Sequence, residues 1–139
     1  MLFVLSGLPP STNQSLTVAR GRLIHTSAAR AFRQATELAI DIQLKDQLTA
    51  NKALSAQLKA MENKELICAL YFYSNWLTKA GTIRKSDLAN LEKLLLDSLV
   101  SVMVKNNFSF FDDSQFFCLT LHKIQSDIDK TEITILIKN

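Results

Sequence analysis

The hydrophobic positions of this chain change their period along its length, and each change marks an element. Leu2 to Ser6 is a short apolar run and reads as a first strand. Gly7 to Asn13 must be a loop, because Pro9 and Pro10 cannot continue a ladder. Arg20 to His25 reads as a short strand or hairpin arm. Phe32, Ala35, Leu38, Ala39 and Ile42 then recur at helical spacing, which predicts a helix capped by Ser27 and running to about Leu48. Leu54, Leu58 and Met61 predict a second helical piece. Glu65 to Ser74 is almost continuously apolar, the pattern of a strand buried on both faces. A basic loop from Lys79 to Lys85 leads to a helix from Asp87 to about Lys105, with Leu88, Leu91, Leu95, Leu99 and Val102 on its apolar face. Phe116 to Ile124 and Glu132 to Lys138 complete the pattern as two strands. The order predicts an α+β fold, a mixed β-sheet with helices packed on one face, in a single domain over residues 1–139.

Composition supports a packed core. Hydrophobic residues make up 47% of the 139, which argues against disorder. The net charge is +3, a mild basic excess compatible with nucleic acid but shared by many proteins that never meet it. Cys68 and Cys118 lie in apolar runs and fit no zinc spacing, so free thiols in a reducing compartment are expected. The first strand lacks the basic flank of a signal peptide, and no apolar run approaches the roughly 18 residues of a membrane helix. A cytoplasmic location, with no membrane partner, is the expectation.

The chemistry concentrates in two places. On the helix from Asp87, residues Asn90, Lys93 and Asp97 share a polar stripe opposite the leucines. Alone, that stripe is the solvated face of an ordinary helix, with Asp87 as a cap that complements the dipole. The second place is Asp112-Asp113-Ser114-Gln115, set between Phe108, Phe110, Phe111 and Phe116, Phe117. Read plainly, it is a polar turn entering a strand. Adjacent carboxylates among aromatic rings nevertheless repel and lose solvation unless a cation or water offsets them. Magnesium needs only one or two carboxylates beside water and phosphate oxygens. Asp87 and Asp113 could provide them if the helix start and the strand start meet. Arg20, Arg22, Arg84 and Lys85 lie in flanking loops, as a solvated positive surface or as phosphate contacts. Trp76 is read as a rim-packing residue, and His25 and His122 as structural or surface histidines.

The sequence Asp87-Leu88-x-Asn90-Leu91-x-Lys93, then Asp97-Ser98-Leu99, then Asp112-Asp113-Ser114-Gln115, resembles the RusA family of Holliday junction resolvases, small endodeoxyribonucleases of phages, prophages and bacteria. Pro9-Pro10-Ser11 with Asn13 is similar to the family's N-terminal loop, so Asn13 joins Arg20, Arg22, Arg84, Lys85 and Asn90 as an expected DNA contact. The resemblance implies a homodimer that binds four-way DNA junctions and cuts them in pairs with Mg²⁺ or Mn²⁺. It implies metal ligation by Asp87 and Asp113, with Asp112 as a substitute donor, and a catalytic Lys93 beside the scissile phosphate. Two departures stand out. Ala89 occupies a position where the family commonly has Asp, and the helix-to-Asp113 segment is longer by about one turn. Ala89 leaves open an engineered knock-out, natural variation that weakens the nuclease or lets Asp112 or water fill the coordination shell, or a catalytically inactive junction-binding protein of the same fold.

Overall fold

A computed structural model describes residues 1–85 and 87–139; Ser86 and the side chains of Thr12 and Asn13 lie outside the described residues. The elements in chain order are β1 (Leu2–Ser6), α1 (Thr12–Ser15), β2 (Leu16–Ala19), β3 (Arg22–His25), α2 (Ser27–Ala50), α3 (Leu54–Lys59), β4 (Leu66–Ser74), α4 (Ala89–Lys105), β5 (Phe116–Gln125) and β6 (Lys130–Ile137). The architecture is α+β, as the pattern of elements predicted.

Four strands form one mixed sheet in the order β1-β6-β4-β5. Strand β4 is central, antiparallel to β6 and parallel to β5. A parallel pair cannot be joined by a tight turn, and α4 supplies the crossover. It leaves the sheet beyond the end of β4 and returns the chain to the start of β5, where Leu66 is level with Phe116. The two ends of α4 are therefore held at opposite ends of the sheet.

Phe3 and Leu5 of β1, Leu66, Cys68, Leu70 and Phe72 of β4, and Ile133 and Ile135 of β6 are buried. Against them pack Ile40 and Leu44 of α2 and Leu91, Leu95, Leu99 and Val102 of α4. Burial alternates strictly along β4, full on one face and partial on the other. The expectation of burial on both faces is thus corrected. The second face is semi-exposed, and its apolar look comes from Ile67, Ala69, Tyr71 and Tyr73. Tyr71 stacks on His122 at 4.7 Å, and Tyr73 donates to Glu132 at 2.9 Å.

The open edge of β1 is closed by side chains. Gln43 exchanges two hydrogen bonds with Val4, at 2.8 and 2.7 Å, and Gln47 donates to the Leu2 carbonyl. This occupies the groups that would otherwise template another strand.

Several boundaries differ from expectation, and α1 and β2 were not foreseen. The cap of α2 is Thr26, whose Oγ1 accepts the Ala29 N–H at 3.2 Å, so Ser27 is already inside the helix. Helix α4 begins at Ala89 and leaves Asp87 outside. The segment read as a basic loop folds back on itself through a bridge between Leu77 and Ile83, turning at Gly81. Trp76 at its base is buried and donates its ring N–H to the Phe72 carbonyl at 2.9 Å, the packing role anticipated for it.

Candidate nucleic-acid and metal site

The polar stripe of α4 faces a trough. Asn90, Lys93 and Asp97 line a cavity of about 180 Å³ with Pro10, Ser15, Leu16 and His25. The loop after β1 forms the opposite wall because Ser15 is tied back, its hydroxyl donating to the Ser11 and Pro10 carbonyls at 2.7 and 3.2 Å. Thr26 closes the base of the neighbouring hairpin by donating its N–H to the Ser15 carbonyl and its hydroxyl to the Gln14 carbonyl.

The trough continues both ways. Toward the start of α4, Asn90 also lines a cleft with Asp87, Lys85, Ser11 and Gln14. Toward its end, Asp97 also lines a cleft with Asp113, Arg33 and Ser101. From Asn90 to Ser101 the helical rise amounts to about 16 Å. Each section holds carboxylate and cation together: Asp87 with Lys85, Asp97 with Lys93, Asp113 with Arg33. Arg33 is also paired with Glu37 at 2.8 Å.

Asp87 and Asp113 line different clefts, at opposite ends of α4. Among the described residues the two carboxylates expected at one metal site thus line separate clefts. The physical reason is the parallel β4–β5 pairing, which fixes α4 as a full-length crossover. Asp113 instead shares its cleft with Asp97, the second carboxylate of the motif. Asp112 lines a further surface with Gln115 and Phe117. Its carboxylate accepts the Ser114 N–H at 2.8 Å, while the Gln115 amide oxygen accepts the Asp112 N–H at 3.3 Å. The Asp-x-x-Gln run is thus a capping box on the short turn Asp113–Gln115. Bonding to Ser114 holds the Asp112 carboxyl below its ordinary value.

At the other end, the Asp87 carboxylate accepts the Ala89 N–H at 3.0 Å, occupying a donor that the helix start would leave unmet. Glu92 is close enough to feel Asp87. Partial burial first, and the Asp87 charge second, push its carboxyl above the usual glutamate range. Burial and then the Glu92 charge raise the Cys68 thiol to about 12, so this cysteine is an inert core residue.

The expected basic contacts are dispersed but exposed. Lys85 borders the Asp87 cleft, Arg84 lies on the adjoining loop, and Arg20 and Arg22 flank the tip of the β2–β3 hairpin. Asn13 has a side chain outside the described residues. Sequence reasoning named Asp97 without giving it a site role, read His25 as a structural or surface histidine, and did not single out Arg33. Asp97 was visible on the stripe beside Lys93. His25 and Arg33 carried no signal, because only the folding of the β1–α2 segment against α4 brings them to the trough. The Nδ1 atom of His25 is buried and has no hydrogen-bond partner among the described residues.

The donor set admits a lightly coordinated cation. Among the described residues no three His, Cys, Asp or Glu side chains gather as a metal cage. Asp97 and Asp113 line one cleft, and magnesium needs as few as one or two carboxylates, with water and phosphate completing its shell. Among the described residues no helix is long and apolar enough to cross a membrane.

A trough of alternating carboxylates and cations on a mildly basic α+β domain is compatible with a nucleic-acid-processing protein. The family model of endodeoxyribonuclease RusA matches residues 7–136, nearly the whole chain, and the chain belongs to that family. Membership implies a nuclease of the Holliday junction resolvase type. No individual curated protein matches the chain.

Proposed function

We propose that this chain is a metal-dependent, structure-selective endodeoxyribonuclease that resolves four-way DNA junctions as a two-fold dimer, in the cytoplasm of a bacterium or phage-infected cell. The observation that supports it best is the trough, in which Lys93 stands between Asn90 and Asp97 and is continuous with the Asp87 and Asp113 clefts. Its length of about 16 Å accommodates a short run of consecutive phosphates of one strand.

In this reading Asp97 and Asp113 would hold one divalent cation, and Asp87, in the cleft toward the start of α4, would offer a donor to a second. A bound ion of this kind polarises a phosphate and lowers the pKa of attacking water. The exposed Lys93 ammonium offsets the negative charge that grows on the phosphate in the transition state. Asn90 and His25, facing the same cavity, offer polar atoms that orient the strand without adding charge. Lys85 and Arg84 at one end, and Arg20 and Arg22 on the hairpin, take neighbouring phosphates. A two-fold dimer matches the approximate symmetry of a junction and assigns one trough to each cut strand.

A second reading is a junction-binding protein that does not cut. It is favoured by Ala89, which is exposed in the first turn of α4 and brings no donor to the Asp87 cleft. Changing Lys93→Ala separates the two. For a nuclease, cleavage of a four-way junction falls by about a hundredfold while binding persists. For a binding protein there is no cleavage to lose.

A further inference from the structure

The hairpin formed by β2 and β3 stands outside the main sheet, with its base fixed and its tip free. Its turn is Arg20-Gly21, both with positive φ, at 51° and 72°, the two-residue connection that matches strand twist. Paired residues share a face in an antiparallel ladder. Leu16 with His25 and Val18 with Leu23 therefore form one face. Leu16 and His25 line the trough beside Lys93. One step further out, Val18 and Leu23 remain 69% and 71% exposed.

Such a pair is unusual on a free arm, where a charged or polar pair would cost nothing. Its surroundings select what covers it. Arg20 and Arg22 bracket the tip, Arg30 and Arg33 follow on α2, and the first 36 residues contain no Asp or Glu. A second copy of this arm would meet it with like charge, whereas a phosphate chain would meet it with opposite charge. Between the phosphates, an apolar pair matches the faces of bases, and apolar wedges at base steps are a known way to hold stacking open. Unstacking is least costly where pairing is already interrupted, which is the condition at a branch.

We infer that the β2–β3 hairpin is a branch-point wedge: Val18 and Leu23 lie against unstacked bases while Arg20 and Arg22 take the flanking phosphates, so that one strand is led into the trough at Leu16 and His25. The inference rests on the junction-binding reading above and adds the element that would confer selectivity for branched over linear DNA.

The test uses the full chain and a four-way junction with 2-aminopurine at the branch, compared with a linear duplex carrying the same label. Wild-type protein raises the branch fluorescence and leaves the duplex signal flat. The double variant Val18→Thr/Leu23→Thr keeps two exposed, strand-favouring residues, and circular dichroism and the melting temperature confirm its fold. It is expected to lose most of the fluorescence rise and about tenfold in junction affinity, the order of losing part of two buried aliphatic side chains, with duplex affinity changed less than about twofold. If wild-type protein binds the junction with a steep salt dependence yet leaves the label quenched, or the double variant behaves as wild type, the wedge is refuted and the junction-binding reading survives. If the variant instead turns a dimer into a monomer, the pair is a subunit contact and the wedge is refuted. If wild-type protein binds no junction at all, both readings fall together.

Discussion

The carboxylate of Asp87 accepts the backbone N–H of Ala89 at 3.0 Å. The motif residue that opens the trough thereby also ties down the first residue of α4, whose N-cap position is Leu88, and the residue it bonds is the one that departs from the family pattern. Charge and hydrogen bonding can be separated at this position. Asp87→Asn retains an acceptor and should leave stability within about 0.5 kcal/mol, whereas Asp87→Ala should cost about 1 kcal/mol. Both should abolish metal-dependent cleavage. Urea unfolding and a junction cleavage assay, run on the same two variants, check the pair of expectations.

Ala89→Asp adds a carboxylate to an exposed first-turn position, where the helix dipole favours negative charge. The fold should be intact, with stability unchanged or higher by about 0.5 kcal/mol. Metal affinity should rise, and junction cleavage should increase by more than about tenfold, equivalent to about 1.4 kcal/mol in the barrier. Calorimetric titration with Mn²⁺ and single-turnover cleavage read the two effects separately. Unchanged values in both would mean that coordination here does not use this position.

The first-turn charge balance also sets a pH dependence. Partial burial and the Asp87 charge raise the Glu92 carboxyl above its unfolded value. In that window the native state binds more protons than the unfolded state, so this group's contribution weakens as pH rises. Glu92→Gln should therefore stabilise the protein at pH 7 to 8. The gain should disappear below about pH 4, where glutamate is protonated in both states. Chemical denaturation at pH 4 and pH 7.5 measures the difference; an equal effect at both would assign it to packing.

How much of this was legible without the fold can be traced through particular residues. The four strands of the main sheet, both long helices and the stripe of Asn90, Lys93 and Asp97 follow from periodicity, because each depends on neighbours within a few turns, whereas β2 was not foreseen. The α4 boundary at Ala89 was missed by two residues, since Asp87 favours a cap as readily as a first turn. The partition of Asp87 from Asp113 was not legible. It depends on β5 pairing parallel to β4, and strand direction leaves no trace in local composition. Asp112 illustrates a further limit: the same Asp-x-x-Gln spacing reads as a metal pair or as a capping box, and the hydrogen bonds favour the cap.

The helix layer carries its own ionic tie. Asp41 of α2 accepts from Lys45 at 2.7 Å and from Asn106, just beyond α4, at 2.7 Å. Those two partners hold its carboxyl below the ordinary range. Asp41→Ala should destabilise the protein by about 1–3 kcal/mol at pH 7, because the Asn106 amide loses its charged acceptor. Since the folded pKa is depressed, the contribution is present above the unfolded value of about 3.9 and fades as pH falls through the folded one. The variant and wild type should converge in stability toward pH 2, as urea midpoints across that range would record.

The most direct measurement is incubation of the protein with a labelled four-way junction and a matched linear duplex, each with and without Mg²⁺ or Mn²⁺. The account predicts paired, symmetric cuts in the junction only when metal is present, an intact duplex, and loss of the cuts in Lys93→Ala with binding retained. Junction bound but uncut under every metal condition would contradict the nuclease reading in favour of a binding protein, and equal cutting of duplex and junction would contradict structure selectivity.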